Sequence, residues 1–307
     1  MIKLTDVTLR DGLQSDPHQI TTEQKLNLFY AVESCGFSRI EITSFSHPKW
    51  IPQLADSDSL CEKIFQGQPS FASELMAFVP NERGLERLLK YPIQWVSGFI
   101  GASETFNQKN INASRLETLE NLKKIIGRAK TQKRKCRIYI STVFGCPYEG
   151  EIAEGNLIQL IQEVVDLEPD EIALSDTIGV ASPGKVKAVI EKVSSFFPKG
   201  KIALHLHNTY GLALANVEAG LNAGVTQFDG ATGGIGGCPY AKGASGNVAT
   251  EEIAYFLERS LHPLNVSWSS IQKTIQLLDQ WGLHLESKLA AVIKKGGSLY
   301  GISKSHS

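Results

Sequence analysis

The segment KIALHLHN, residues 201–208, sets two histidines two positions apart, His205 and His207, in a run whose other residues read as a β-strand. Side chains alternate along a strand, so both imidazoles share one face while Leu206 takes the other. Two imidazoles on one rigid face are half of a metal site. An isolated pair of this kind is more often two ordinary polar residues near a strand end. The ligand reading is favoured here because Asp11 follows another strand-like run, IKLTDVTL (2–9), and supplies a carboxylate oxygen. Asn247, closing the glycine-dense stretch GGIGGCPYAKGASGN (233–247), offers a second oxygen. Two nitrogens and two oxygens without a thiolate suit Mg2+ or Mn2+ better than a structural zinc, with Zn2+ left open. Unfilled coordination positions would let substrate oxygens bind the metal directly.

Around this core lie further candidates. Arg10, next to Asp11, is placed to neutralise a carbonyl oxygen as negative charge develops on it. Glu41 and Asp176 interrupt otherwise apolar strands. A carboxylate inside a barrel is costly unless paired, so each is expected to have a partner such as Arg10 or a histidine. The same reading marks Ser44, on the strand of Glu41. Cys238 is singled out among five cysteines because it lies in the glycine stretch, where a loop able to close over a site could use its thiol as nucleophile or proton donor. Cys35, Cys61 and Cys136 read as small buried apolar residues, and Cys146, in GCPYEG, as structural.

Residues so far apart in sequence must be gathered by a scaffold. Strand-like runs recur at 2–9, 38–45, 75–80, 95–102, 136–145, 170–179, 201–208 and 226–234, with helical patterns at 21–35, 56–66, 81–90, 114–133, 154–168, 183–197 and 210–223. Each spacer is long enough to connect parallel strands. Eight consecutive β-then-α units without a linker predict a (β/α)8 barrel, whose chemistry sits at the C-terminal ends of the strands. The expected organisation is one catalytic domain, with barrel core and loop over 1–248, extra helices over 249–295 and a frayed tail over 296–307.

Composition narrows the function. The 307 residues carry 31 Lys and Arg against 32 Asp and Glu, a net charge of −1, which gives no basic field for nucleic acid. No window is apolar enough for a membrane span and the N-terminus has no leader pattern, so a cytoplasmic location is expected. The odd number of cysteines, with no CxxC pair, fits a reducing compartment.

Taken together, TLRDGLQ, IEITSFSHPKW, GCPYEG, SDTIG, HLHNTYGLALAN and GGIGGCPYAKGASGNVATE resemble the 3-hydroxy-3-methylglutaryl-CoA (HMG-CoA) lyases, within the metal-dependent lyase and Claisen-type barrel superfamily. The resemblance runs from about residue 5 to about residue 260. It implies a divalent metal on Asp11, His205, His207 and Asn247. Arg10 would stabilise the enolate of departing acetyl-CoA, Cys238 would protonate it, and His205 is implicated in proton transfer. Glu41, Asp176 and Glu251 would support the site, and Ser44, Asn247 and Gly237 would touch an acyl-CoA substrate. Two positions depart from the family pattern: Asn208 stands where an aspartate is usual and is expected around the metal, and Ala173 replaces a serine. A homodimer is expected on size class alone. A Claisen-type condensing enzyme, an aldolase, and a non-catalytic metal or acyl-CoA binding protein remain as alternatives.

Overall fold

The computed structural model describes residues 1–237, 246–297 and 299. Eight parallel strands close into a barrel in chain order: β1 (Lys3–Asp6), β2 (Arg39–Ser44), β3 (Glu74–Phe78), β4 (Trp95–Gly101), β5 (Lys135–Ser141), β6 (Glu171–Asp176), β7 (Ile202–Leu206) and β8 (Gln227–Gly230). The helices are α1 (Thr22–Glu33), α2 (Ser57–Ile64), α3 (Glu82–Leu88), α4 (Glu104–Ile111), α5 (Arg115–Thr131), α6 (Glu154–Val165), α7 (Pro183–Val193), α8 (Ala213–Asn222), α9 (Thr250–Arg259), α10 (Trp268–Gln280) and α11 (Lys288–Lys294).

Local chemistry sets the helix ends. Thr21 and Gln24 form a reciprocal capping box at α1, and Ser114 with Glu117 does the same at α5. Pro183 occupies the first turn of α7, where its missing N–H costs nothing. Beyond β8, α9 completes the eighth strand–helix unit, and α10 packs on α1, where Ser267 N–H donates to Cys35 C=O at 2.9 Å. No helix among the described residues is long and apolar enough to cross a membrane.

Strand alternation divides the molecule into two environments. Ile40, Ile42, Val96, Ile138, Ile172, Leu204 and Phe228 face outward into one continuous apolar layer under the helices. The opposite face of the strands carries Arg39, Glu41, Ser97, Arg137, Tyr139, Glu171, His205 and Asp229, all buried. Below the histidines, Met76, Trp95, Tyr139, Ala173 and Ala203 form a small second core.

Two stretches differ from the sequence reading. The first strand stops at Asp6, and Thr8–Gly12 winds into a π-helical turn. Asp6 drives this reversal: its Oδ1 accepts Thr8 N–H at 3.0 Å, while Oδ2 accepts the hydroxyls of Thr232 and Thr250. Arg10 and Asp11 therefore project from a turn above β1, a setting frequent at functional sites. The second difference is α4, a helix inserted before α5. Its sequence, ETFNQKNI, lacks a continuous apolar stripe, and it is held by the Ser103 hydroxyl accepting Phe106 N–H and ended by Asn112 in the left-handed conformation (φ 53°).

Candidate active site

At the C-terminal end of the barrel, Asp11, His205 and His207 each offer a ligand atom, all within 4.8 Å of one another. Asp11 Oδ2 lies 3.7 Å from His205 Nε2 and 3.9 Å from His207 Nε2. His205 comes from the inward face of β7, and His207 follows one step beyond the strand on the same side. Asn247 joins them because the chain after β8 returns antiparallel to that strand end: Val248 N–H donates to Leu206 C=O at 2.9 Å and Asn208 N–H to Gly246 C=O at 3.1 Å. Asn247 Nδ2 donates to Asp11 Oδ2 at 2.8 Å and to Ile235 C=O at 3.1 Å, while its Oδ1 is buried with no hydrogen-bond partner among the described residues. This close approach requires glycine at 236, whose φ is 97° and where a Cβ would lie 2.7 Å from Asn247 Nδ2 and 2.8 Å from Asp11 C=O.

The electrostatics suit a cation. Burial alone would raise the Asp11 carboxyl, but Arg10 and the two imidazoles outweigh it and hold the group at about 2. Burial and the neighbouring His205 push His207 down to about 4, so it is neutral near pH 7 with a lone pair to give. An anionic carboxylate, two imidazoles and an unpartnered amide oxygen are a donor set that fits a divalent metal ion.

Arg10 is clamped beside this cluster. Its Nε donates to Glu41 Oε2 at 2.6 Å, its guanidinium meets Asp11 Oδ1 at 2.5 Å, and it lies over the Tyr139 ring at 5.2 Å. Glu41 is fully buried and also accepts the Ser97 hydroxyl at 2.5 Å and the Tyr139 hydroxyl at 3.3 Å. The partner expected for Glu41 is therefore present, and Arg10 is fixed in place.

Asp176 is different. It has the parity of Ile172 and Leu174, so it leaves the barrel interior, and among the described residues no Arg or His pairs with it at hydrogen-bonding distance. Its two oxygens instead accept Val180 and Ala181 N–H, each at 2.9 Å, fastening the loop after β6. Burial raises its carboxyl, these amides oppose the rise, and the group settles at about 6. Ser44 pairs with the Ser46 hydroxyl at 2.8 Å, and it is Ser46 that lines the cavity. Asn208 turns away from the histidines and accepts Ala213 N–H at 3.2 Å, at the start of α8. Glu251 holds the base of the loop after β8 by accepting Gly233 N–H at 3.1 Å, and burial pushes it up to about 7. Gly237 lines the cavity, its carbonyl accepting the Ser15 hydroxyl at 2.8 Å. Cys238 lies outside the described residues.

Cys146 folds its own loop, its sulfur accepting Tyr148 and Glu149 N–H at 3.4 Å. Cys35, Cys61 and Cys136 are buried in the apolar layer, and burial pushes the Cys35 thiol up to about 12. All four therefore read as packing residues.

Above the cluster opens a cavity of about 780 Å³. Arg10, Asp11, His205 and His207 form its floor, and Phe78, Phe99 and Phe106 an apolar wall. Trp50, largely exposed, and Lys109 stand at its mouth. The missed helix α4 supplies Phe106, Lys109 and Ile111 to this wall.

Sequence reasoning also missed the charged network beneath the floor. Arg137 donates to Asp229 Oδ1 at 2.6 Å and to Glu171 Oε2 at 2.9 Å, and Arg39 to Glu171 at 2.7 Å. Burial pushes the Asp229 carboxyl up, but Arg137 and His205 outweigh it and hold it at about 2. The signal was available: these are charges in strands that otherwise read as apolar, as with Glu41.

The family model described as HMGL-like matches residues 1–278. The chain belongs to the HMGL-like family. It is 42% identical over 294 residues to the hydroxymethylglutaryl-CoA lyase YngG of Bacillus subtilis, covering 95% of this chain and 97% of that one. It is 40% identical over 256 residues to a Pseudomonas aeruginosa lyase named for both 3-hydroxy-3-isohexenylglutaryl-CoA and hydroxymethylglutaryl-CoA, covering 83% and 84%. Among solved structures, an HMG-CoA lyase from A. baumannii in complex with coenzyme A and 3-methylmalate superposes with a TM-score of 0.89 at 32% identity, covering 99% of this chain and 98% of that one.

Proposed function

We propose that this family member is a divalent-metal-dependent lyase that cleaves HMG-CoA to acetoacetate and acetyl-CoA. The observation that carries the reading is the convergence of Asp11, His205, His207 and the clamped Arg10 on the floor of one cavity. Asp11, His205 and His207, with the amide oxygen of Asn247, would hold the metal, Mg2+ or Mn2+ being preferred by the oxygen content of the set. When bound, the metal supplies Lewis acidity to the tertiary hydroxyl and the free carboxylate of the substrate.

The protein's own groups divide the remaining work. The hydroxyl proton passes to a base at the cavity floor, the C2–C3 bond breaks, and its electron pair leaves as the enolate of acetyl-CoA. Arg10, held by Glu41, presents N–H donors to the thioester oxygen where that charge collects. The proton returned to C2 is assigned to Cys238. Gly236 and Gly237, within the glycine stretch, set the chain against the cavity edge. The acyl-CoA enters with its acyl end at the floor, while the rest of the coenzyme leaves past Lys109 and Trp50. Asp176 and Glu251 support the reaction through the loops they fasten.

The test is acetoacetate and acetyl-CoA formation by metal-stripped protein, with and without Mg2+ or Mn2+, beside Cys238→Ser and His205→Ala. The reading requires turnover only with metal and loss of most of it in both variants. Metal binding without cleavage would overturn the substrate assignment. The P. aeruginosa relative makes a 3-hydroxy-3-isohexenylglutaryl thioester the substrate to try beside it.

A further inference from the structure

His205 has two ring nitrogens with separate surroundings. Nε2 faces the cluster, 3.7 Å from Asp11 Oδ2, and Nδ1 faces the other way, 3.4 Å from Asp229 Oδ2. Both Nδ1 and Asp229 Oδ2 are buried and neither has a hydrogen-bond partner among the described residues. They are therefore each other's available complement across neighbouring strands, at the register pair His205–Asp229 of β7 and β8. A neutral imidazole carries its proton on one nitrogen and its lone pair on the other. A carboxylate at Nδ1 accepts only, so it holds the proton there and leaves the Nε2 lone pair for the cluster.

Asp229 is itself immobilised. Arg137 donates to its other oxygen at 2.6 Å and is tied through Glu171 to Arg39. The edge of the Tyr139 ring packs on the imidazole, with centroids 5.4 Å apart, which limits rotation of the ring.

We propose that Asp229 is a positioning residue which fixes the tautomer and ring orientation of His205, so that Nε2 is presented to a divalent cation. The inference rests on the reading of Asp11, His205 and His207 as metal ligands. Asp229 stands on the far side of His205 from that cluster and acts only through the imidazole. Outer carboxylates in such pairs are worth roughly 10- to 100-fold in metal affinity.

The experiment is calorimetric titration of Mn2+ into metal-stripped, full-length wild type, Asp229→Asn, Glu171→Gln and His207→Ala, with 15N NMR of the histidine rings in the metal-free wild type. The proposal predicts Mn2+ affinity about 10- to 100-fold weaker in Asp229→Asn. Glu171→Gln removes a carboxylate from the same buried network without touching His205, so it should lower thermal stability and leave Mn2+ affinity within about twofold of wild type. NMR should find the His205 proton on Nδ1. The proposal is overturned if Asp229→Asn binds within twofold of wild type, if Glu171→Gln weakens binding as much, or if the wild-type proton sits on Nε2. The NMR result decides even if Asp229→Asn fails to fold. Failure of the metal reading itself looks different: wild type and His207→Ala would then be equally without Mn2+ binding.

Discussion

The two faces of the same eight strands obey opposite rules. Outward, β7 presents Ile202, Leu204 and Leu206 to the helices, in a layer that would accept any well-packed apolar side chain of similar volume. Inward, the same strand presents Ala203 and His205, among arginines and carboxylates held in one arrangement by hydrogen bonds of 2.5–3.3 Å. Dispersion and hydrophobic burial tolerate exchange, whereas a desolvated charge tolerates only its own partner. Stability therefore resides mainly in the outer layer, and the chemistry in the inner one.

The strongest test of this division is Arg10→Gln, which should lower kcat about 10²- to 10³-fold, as for loss of a donor to a developing oxyanion. If kcat falls less than about tenfold while the protein stays folded, Arg10 is not that donor. The outward counterpart is Leu204→Ala, expected to cost about 2–5 kcal/mol in urea unfolding and leave kcat nearly unchanged below the transition. A large kcat loss there would blur the division.

Glu251 sharpens the comparison through pH. Its folded-state carboxyl is raised from 4.5 to about 7. A raised pKa means that the protonated form is favoured by folding, so its contribution is fully present below pH 4.5 and is lost as pH rises towards about 7. The shift corresponds to of order 3 kcal/mol, at about 1.4 kcal/mol per pH unit. Glu251→Gln keeps an acceptor for Gly233 N–H and cannot ionise, so urea unfolding between pH 4.5 and 7 should show a smaller loss of stability than in wild type. An unchanged loss would mean that Glu251 ionises freely in the folded protein. The smallest effect is expected for Asn208→Asp. Its side chain faces Ala213 N–H at the start of α8, where a negative charge is worth at most about 1 kcal/mol. Mn2+ affinity by calorimetry should shift less than about threefold, the two imidazoles being untouched. A tenfold change would return Asn208 to the metal.

Much of this division was legible in the sequence, for a definite reason. The HLH spacing survives folding because strand alternation is local geometry, so two residues apart means the same face in any sheet. Order and number of the β/α units followed from equally local patterns. Four features escaped because they depend on packing and register that local composition does not display. Asp6 stops β1 early through Thr232 and Thr250, which turns Arg10 and Asp11 onto a π-helical turn. Asp176 differs from Glu41 in parity, and parity is assignable only once the ends of β6 are fixed. Helix α4 depends on its cap at Ser103 and on Phe106 packing against β4 residue Phe99, so its own composition gives little sign of it. Asp229 looked like one acidic residue in a short strand until its register beside His205 was known.

We propose that the C-terminal end of the barrel gathers one divalent cation site from Asp11, His205, His207 and Asn247. The most direct measurement is an anomalous-scattering crystal structure of the protein equilibrated with Mn2+. We expect a strong anomalous peak bounded by a carboxylate oxygen of Asp11, Nε2 of His205 and of His207, and Oδ1 of Asn247. No peak there at saturating Mn2+, or a peak on other residues, would contradict it.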